Sequence, residues 1–383
     1  MKIGRWVAVL AAASLLAGCK DFWKAPSNSG SGGGTGLSSG VFYVANQATD
    51  QVAALTISSG TLTKVTGSPY TLTSAPLAIA VAPNGNFLYV GTQQGIFLYT
   101  IGSGGALTLG NSGGVISTDL ATTMKVDSTN SWLVESGPAL GQLMAIPINS
   151  TTGLPASATE QSALLPAVTV QQLTISPDNA HVFVTLGSAG TEEVAFNAGS
   201  GTPFGTTKNF AVKNSAGAAI AIAVDPTNRL VYVGETAATS ASKNTGGVRV
   251  FNYSTMAEIT GSPFASGGLG PYAILPLSNG NYVYVANRTV SGSSTGNIAG
   301  FSVTTSGTTT SLTALSTAAV TGVNPVSMTE ESTGNYLLAV NSGGNPDLSA
   351  FTYDTTTAGK LDSGVTGATG TDPVQASAIA ALP

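Results

Sequence analysis

Few residues in this chain could carry out chemistry. His181 is the only histidine and Cys19 the only cysteine, and charged residues make up 8% of the 383 positions. A serine hydrolase needs a histidine beside a serine and a carboxylate, and a zinc site needs a cluster of His, Cys and carboxylate ligands. One histidine and one cysteine exclude the usual zinc spacings. We therefore expect no metal and no cofactor.

The pattern Gly-x-Ser-x-Gly occurs three times, around Ser38, Ser112 and Ser294. The motif does chemistry only when the serine sits on a strand-to-helix elbow, and none of these segments has that context. A chain with 48 glycines and many serines produces such matches by chance. The catalytic residues, if there are any, are thus unknown from sequence.

His181 follows the turn Pro177-Asp-Asn-Ala180 directly and opens an apolar run. A residue at the start of a strand is more often a surface residue than a catalytic one. We expect His181 on the face opposite the longer loops.

Seven near-copies of one apolar run position these residues. The runs recur at intervals of 44 to 54 residues and begin at Phe42, Leu88, Trp132, Val182, Val231, Val283 and Leu337. A fixed period in this range is the signature of a repeat architecture. Each run is preceded by an apolar stretch and a Pro-containing turn, as in Leu77–Val81 and Pro83–Asn86. It is followed by two more short strand-like segments.

Four short strands per unit, bounded by turn residues, predict an all-β fold. Units of this length repeated radially make a β-propeller, here with seven blades. The first repeat lacks its inner strand, because Gly40 leads straight into Val41. The segment from Pro373 to Ala381 resembles that missing strand. We therefore expect the C-terminal strand to complete blade one and close the ring, which removes unpaired edges.

The amino terminus resembles an export signal. Lys2 and Arg5 precede a short apolar run that ends in Leu16-Ala-Gly-Cys19, as in secretory signals. The tetrapeptide resembles the lipobox of bacterial lipoproteins, where the cysteine is lipidated; an ordinary signal peptide containing a cysteine is the alternative. Residues 1–18 are predicted to be the signal peptide, 19–40 the lipidated Cys19 with a Gly/Ser tether, and 41–383 the propeller.

Lys20, rather than Asp, follows the cysteine, so we expect an outer-membrane lipoprotein of the bacterial cell envelope. Lipid anchoring would attach the protein to a membrane without spanning it. The formal net charge is −5, and the chain has no basic patch. Since nucleic-acid binding needs a basic surface, no nucleic-acid partner is expected. We expect a monomer.

The loops after the aromatic-Val runs should share one face with the starts of the inner strands. Variable loops on a rigid scaffold often carry binding sites, although an Asn at a strand end often only caps a turn. The candidate binding face comprises Asp50, Glu235, Asn287, Arg288, Asn341 and Asp347.

The repeats resemble those of the seven-bladed lactonase-family propellers, also called YVTN-type or 6-phosphogluconolactonase-like repeats. The segment from Pro76 to Val90 carries the motif, and the resemblance covers Val41 to Pro383. It implies a seven-bladed propeller and an ancestry among enzymes that open lactones. Family enzymes carry segments of the type Gly-Pro-Arg-His at the starts of inner strands. Here the equivalent segment reads Gly270-Pro-Tyr-Ala273, so no family catalytic residue is carried over.

Two functions stay open. The first is a surface-anchored propeller that binds a protein or glycan ligand through its loop face, without catalysis. The second is a lactone hydrolase with an altered site, in which Glu235 would act as base and Arg288 as oxyanion partner. The missing catalytic histidine favours the first.

Overall fold

Seven antiparallel sheets, of four or five strands each, follow one another along the protein. They are seen in a computed structural model, which describes residues 40–138, 141–168, 170–227, 229–240, 245–306, 309–343, 346–370 and 374–383. The sheets are the blades of a seven-bladed β-propeller, so the predicted fold is confirmed.

Thirty strands occur within the described residues, numbered along the chain. Those of blades 1 to 3 are β1 Gly40–Asn46, β2 Gln51–Ser58, β3 Thr61–Lys64, β4 Tyr70–Thr71, β5 Pro76–Val81, β6 Phe87–Thr92, β7 Gly95–Ile101, β8 Leu107–Leu109, β9 Thr123–Val126, β10 Trp132–Ser136, β11 Gln142–Pro147 and β12 Gln161–Leu164. Two single-turn 3₁₀ helices, Ser103–Gly105 and Asn111–Gly113, flank β8.

The remaining strands build blades 4 to 7 and return to blade 1. They are β13 Gln172–Ile175, β14 His181–Thr185, β15 Thr191–Phe196, β16 Phe204–Phe210, β17 Ala219–Val224, β18 Leu230–Glu235, β19 Gly247–Asn252, β20 Phe264–Ala265, β21 Leu269–Pro276, β22 Tyr282–Thr289, β23 Asn297–Ser306, β24 Thr309–Ala314, β25 Ala319–Val320, β26 Pro325–Glu330, β27 Tyr336–Asn341, β28 Leu348–Tyr353, β29 Leu361–Gly367 and β30 Ala376–Ala381.

The C-terminal strand closes the ring. β30 pairs antiparallel with β1, with Tyr43 opposite Ala380 and Val44 opposite Ile379. Blade 1 therefore takes its inner strand from one end of the described chain and its other strands from the opposite end. This closure confirms the prediction made from the missing first strand.

Each pair of neighbouring blades encloses its own hydrophobic cluster. The seven clusters correspond to the seven blade interfaces, and the aromatic-Val strands supply residues to both of their faces. In the second strand of blade 1, for example, Phe42 and Val44 pack toward blade 7, whereas Tyr43 packs toward blade 2. This alternation is the period-two pattern of a strand buried on both faces.

Second-strand tyrosines also tie blades together. The Tyr43 hydroxyl donates to the Gly105 carbonyl at 2.9 Å, and Tyr284 donates to that of Gly359 at 2.7 Å. Each acceptor lies in the turn between the third and fourth strands of the next blade. Gly105 has φ +84°, and an added Cβ would lie 2.5 Å from Val41 Cγ1, so only glycine fits there.

The propeller has two distinguishable faces. We call the end where second strands finish and inner strands begin the loop face, and the end with the turns between first and second strands the turn face. The inner strands surround the central channel, as in other propellers. Within the described residues, no helix is long and apolar enough to cross a membrane.

Candidate functional site

Buried polar residues form a ring at the loop face. A polar residue with 0% or 1% exposure lies at or near the end of each second strand: Asn46, Thr92, Ser136, Thr185, Glu235, Asn287 and Asn341. Their side chains hold nearby loops. Ser136 Oγ donates to the Gln142 carbonyl at 2.8 Å, and Asn287 Nδ2 donates to the Ser266 carbonyl at 2.8 Å. The ring satisfies backbone groups where each blade meets its loops.

Four of the six predicted binding-face residues, Glu235, Asn287, Asn341 and Asp347, are thus buried in structural contacts. Besides Asn287, Asn341 Nδ2 donates to the Pro346 carbonyl at 3.1 Å. Asp347 is fully buried, and its Oδ2 accepts from the Thr369 amide at 2.8 Å. Thr369 also donates to Asn46 at 3.0 Å, which links the loops of blades 7 and 1.

Glu235 belongs to a buried charge network in blade 5. Its Oε1 lies 3.0 Å from Arg249 Nη1, and its Oε2 accepts from the Lys213 amide at 2.8 Å. Arg249 also contacts Glu258, which in turn pairs with Lys213. Burial raises the pKa of Glu235, while Lys213 and Arg249 act in the opposite direction.

The hypothesis that pairs Glu235 with Arg288 is therefore not supported, since both oxygens of Glu235 are engaged by other groups. Arg249 was not among the residues that the sequence singled out. The register explains the contact: Glu235 lies opposite Gly247, so Arg249 is its diagonal neighbour across the strand pair. Long side chains interact at such diagonal positions.

Asp50 and Arg288 are the predicted residues that remain accessible. Asp50 is exposed in the turn after β1, and Arg288 is half-buried near the end of β22. The Arg288 guanidinium carbon lies 3.6 Å from the centroid of the Tyr272 ring. This is a close cation–π contact. Within the described residues, Arg288 makes no ion pair and Nε has no hydrogen-bond acceptor.

Tyr272 owes its position to a bulge at the start of β21. The register of β21 on β22 shifts between Pro271 and Ala273, which leaves Tyr272 unpaired. Bulges re-aim side chains near functional sites. The Tyr272 ring packs against the cluster between blades 7 and 1, although the residue belongs to blade 6. It therefore reaches beyond its own blade along the inner wall of the ring.

A hydrogen bond from blade 4 holds the same segment. Gln172 Nε2 donates to the Tyr272 carbonyl at 2.7 Å, and Gln172 Oε1 accepts from the Ile222 amide at 3.4 Å. The Gln172 side chain thus passes the inner strand of blade 5 to reach blade 6. Thr123 and Ser327, at the equivalent position in other blades, accept from Leu173 and Ile379 in the same way. These contacts give hydrogen-bond partners to backbone groups on the unpaired edges of inner strands.

Lys125 is a second accessible cation, and it lies on the inner strand β9 of blade 3. Its side chain is exposed, yet the protein around the ammonium lowers the pKa of Lys125 by desolvation. As a residue of an inner strand, Lys125 lies beside the central channel. In contrast, Arg229 and Arg249 are ion-paired. Arg288 and Lys125 have no ion-pair partner among the described residues, so both remain uncompensated cations in a protein with a formal net charge of −5.

His181 lies on the turn face, at the start of β14. It borders a groove of about 310 Å³ between blades 4 and 5. Its Nδ1 lies 3.0 Å from Glu193 Oε1, and its ring meets that of Tyr253 edge-on at 5.4 Å. The Tyr253 hydroxyl donates to Asp178 at 2.6 Å. His181 thus contributes to packing between blades 4 and 5 on the turn face. The candidate binding residues lie at the other end of the blades, on the loop face.

In the described part of the chain, no three His, Cys, Asp or Glu side chains converge closely enough to hold a metal ion. The lipidation candidate Cys19 lies outside the described residues.

Comparison with known proteins identifies the family. The sequence model of the family described as "Lactonase, 7-bladed beta-propeller" matches residues 172–377, more than half of the chain. The protein belongs to this family. No curated protein sequence matches the chain.

Solved structures show the same fold. A protein of Bacteroides uniformis, assigned as a 6-phosphogluconolactonase, has 15% identity and a TM-score of 0.69, with 90% of this chain and 100% of the other covered. A Bacteroides fragilis protein with the same assignment has 15% identity and a TM-score of 0.68, with 92% and 100% covered. The periplasmic gluconolactonase of Pseudomonas aeruginosa has 15% identity and a TM-score of 0.65, with 90% and 99% covered.

Proposed function

We propose that this protein is an exported, lipid-anchored propeller that binds a carboxylate-bearing ligand, such as an acidic saccharide, at the loop-face end of its channel. One observation carries the proposal: the Arg288 guanidinium is stacked on Tyr272 and has no anionic partner among the described residues. A guanidinium presents planar, paired donors that match a carboxylate. Stacking fixes that plane before the ligand arrives.

Channel electrostatics support the same ligand class. Lys125 adds a second unpaired cation on an inner strand. Clefts lined by one sign of charge concentrate ligands of the opposite sign. An anionic ligand is therefore favoured over a neutral one, despite the net charge of −5.

The anchor rests on the sequence of the first forty residues. Lys2, Arg5, the apolar run and the Leu16-Ala-Gly-Cys19 tetrapeptide support export and lipidation of Cys19, and the Gly/Ser-rich segment after it supports a tether. A protein held in this way would present its loop face to ligands of the cell envelope. Localisation at the outer membrane follows from Lys20 as the residue after the cysteine.

Lactone hydrolysis is the second candidate function. Membership of the lactonase family and likeness to proteins assigned as 6-phosphogluconolactonase or gluconolactonase favour it. Arg288 would stabilise the oxyanion that develops when the lactone opens. A general base is also needed, and Glu235 is engaged by Arg249 and the Lys213 amide. This requirement makes binding the preferred function.

Calorimetric titration of the domain with D-gluconate tests the first proposal. We expect Arg288→Gln to weaken gluconate binding at least tenfold, because it removes the charge and the paired donors while keeping a polar side chain. Lys64→Gln is the matched control, since Lys64 is an exposed cation on the outer strand β3. Equal affinities for the wild type and Arg288→Gln, or no binding of gluconate, would contradict the proposal.

A lactonase assay distinguishes the second candidate. Hydrolysis of glucono-1,5-lactone and 6-phosphogluconolactone is measured against spontaneous opening. We expect no significant rate above that background. Turnover that Arg288→Gln abolishes and Lys64→Gln preserves would instead establish the enzyme.

The anchor has its own test. Mass spectrometry of the mature amino terminus should show an acylated Cys19 and no residues 1–18. An unmodified terminus at another residue would contradict lipidation but leave the binding proposal standing.

A further inference from the structure

The groove between blades 4 and 5 is a cavity that the proposed function does not use. Its volume is about 310 Å³, and its lining comes from β14, β15 and β16 of blade 4 and from the turn after β19 in blade 5. Ligand sites in proteins commonly measure about 300–1,000 Å³. The groove therefore has room for a small molecule but not for a peptide of several residues.

One wall of the groove is a face of blade 4. Alternate residues of neighbouring strands share such a face. His181 lies opposite Ala195 on the next strand, and Glu193 lies opposite both Phe183 and Lys208. The imidazole, the Glu193 carboxylate and the Lys208 side chain therefore line one continuous surface.

The other wall is held in place by a hydrogen bond across the blade interface. Tyr253 follows β19, and its hydroxyl donates to Asp178 Oδ1 in blade 4 at 2.6 Å. Its ring meets that of His181 edge-on, with 5.4 Å between the centroids. Asn252 Oδ1 closes the turn by accepting from the Thr255 amide at 3.2 Å. Both walls are thus fixed before a ligand binds, which lowers the entropy cost of binding.

Several polar groups in the groove lack complementary partners. Glu193 Oε1 lies 3.0 Å from His181 Nδ1, but the two are too poorly aligned for a hydrogen bond. Among the described residues, the Glu193 carboxylate accepts no hydrogen bond, although its side chain is only 13% exposed. Lys208, opposite Glu193, forms no ion pair there, and its ammonium lies 4.8 Å from the centroid of the Phe210 ring. Polar groups removed from water without partners require an explanation.

Apolar surface lies beside these polar groups. Ala195, Tyr253 and Met256 line the same groove, and Thr206 adds a hydroxyl group from the exposed strand β16. A pyranose ring has the matching combination, because its C–H groups form apolar faces while each hydroxyl both donates and accepts. The lining therefore suits a sugar better than a purely apolar or purely ionic ligand.

We infer that the groove formed by His181, Glu193, Ala195, Thr206, Lys208 and Tyr253 is a binding site for one neutral pyranose unit of a saccharide. Two neighbouring hydroxyl groups of the sugar would donate to the Glu193 carboxylate, whose charge strengthens both hydrogen bonds. The Lys208 ammonium would turn from the Phe210 ring and donate to a sugar oxygen. A C–H face of the ring would cover Ala195 and Tyr253.

The mixed charge of the groove selects a neutral ligand. An anion would lie beside the Glu193 carboxylate, and an organic cation would meet Lys208 on the facing strand. A metal ion needs several converging ligands, and no three suitable side chains converge within the described structure. A neutral sugar avoids each of these conflicts.

The site is separate from that of the proposed function. Its residues come from blades 4 and 5, whereas Arg288 and Tyr272 belong to blade 6 and bind an anionic ligand in that proposal. Either site can therefore fail in experiment without affecting the other.

Calorimetric titration of the domain with the methyl glycosides of glucose, galactose, mannose and N-acetylglucosamine tests the inference. We expect at least one of them to bind, and tetrahydropyran-2-methanol, which lacks the ring hydroxyls, not to bind. Glu193→Gln should weaken glycoside binding at least tenfold, because it removes the charge and one of two acceptors while keeping the shape. Asp362→Asn is the matched control, since Asp362 is a 45% exposed carboxylate on the outer strand β29.

Thr206→Trp tests the same groove without altering a charged group. Thr206 is exposed on β16, so an indole there would fill the groove without disturbing the core. Binding should be lost, whereas Thr63→Trp, at an exposed position on the outer strand β3, should retain it. Arg288→Gln should retain it as well.

Four results would overturn the inference. They are the absence of binding by all four glycosides, binding that Glu193→Gln or Thr206→Trp leaves unchanged, binding that Arg288→Gln abolishes, and binding of tetrahydropyran-2-methanol as tight as that of the glycosides. The third result would place the sugar in the central channel.

Discussion

The carboxylate of Glu235 and the guanidinium of Arg249 lie 3.0 Å apart at the loop-face end of blade 5, and their side chains are 1% and 11% exposed. Removing one partner of such a buried pair leaves an uncompensated charge, at a cost of about 3–5 kcal/mol. We expect Arg249→Met to lower the free energy of unfolding by roughly that amount in urea denaturation.

Two controls test this assignment. Lys213→Met removes a partner of the same network whose side chain is 41% exposed, and it should cost less than about 1 kcal/mol. The double variant Arg249→Met/Glu235→Gln should recover part of the loss, since no charge is then left unpaired. If Arg249→Met lowers the free energy of unfolding no more than Lys213→Met does, the buried Glu235–Arg249 pair does not stabilise the fold as described.

Glu135 should make stability depend on pH. Burial, followed by the charges of Asp119 and Glu160, raises the pKa of Glu135 from 4.5 to about 8. Between these values the folded protein binds more protons than the unfolded chain, so its stability falls as pH rises through this window. One unit of pKa shift corresponds to about 1.4 kcal/mol, so the total effect is on the order of a few kcal/mol.

The variant Glu135→Gln isolates this contribution. Its melting temperature should vary less between pH 5 and pH 8.5 than that of the wild type, and it should be the more stable protein at the upper end. Glu160→Gln should give an intermediate result, because it removes one of the charges that act on Glu135. Parallel melting curves for the wild type and Glu135→Gln across this range would refute the prediction.

The tyrosine ties between blades predict a small, specific loss on removal of one hydroxyl. Tyr284→Phe deletes the hydrogen bond to the Gly359 carbonyl and leaves a buried acceptor unpaired. A loss of about 1 kcal/mol is expected in urea denaturation. Tyr282→Phe, two residues earlier, is the control, since its hydroxyl makes no hydrogen bond within the described part of the chain. An equal effect of both substitutions would argue against the tie.

Ring closure can be tested by truncation. Deleting residues 374–383 removes β30, strips the inner strand from blade 1 and exposes the edge of β1. We expect loss of cooperative unfolding or aggregation, because unpaired edges recruit other strands. A chain that begins at Leu37 is the matched control for trimming a terminus and should melt like the full domain. A truncated protein that melts within a few degrees of this control would contradict the closure.

The repeat pattern alone was sufficient to predict the blades and their closure. Each blade repeats the same pattern of apolar strands and turns, so seven copies support a single interpretation. The first repeat lacks an inner strand and the last segment supplies one, which indicates how the ring is closed. Side-chain partners within the site were not predictable in this way. Glu235 reaches Arg249 because of the register between β18 and β19, and register is set by the turn that joins the strands.

Tyr272 illustrates a second limit of sequence reasoning. Its position in the segment Gly270-Pro-Tyr-Ala273 was noted as a departure from the family pattern, but the bulge that frees its side chain depends on pairing with β22. The cation–π contact with Arg288 follows from that bulge. Similarly, the sequence grouped Asn287, Asn341 and Asp347 with Arg288 by their positions along the chain. In the structure the first three are buried and hydrogen-bonded to loops, whereas Arg288 remains accessible.

The sharing of blade 1 between the two ends of the chain also bears on mechanical load. β1 begins at Gly40, directly after the predicted tether, and is hydrogen-bonded along one edge to β2 and along the other to β30. A pull on residue 40 along the strand would load both rows of hydrogen bonds in shear, so that many must break together. A domain attached through a terminal hairpin would unzip one bond at a time. The strand that seals the ring therefore also distributes the force at the point of attachment.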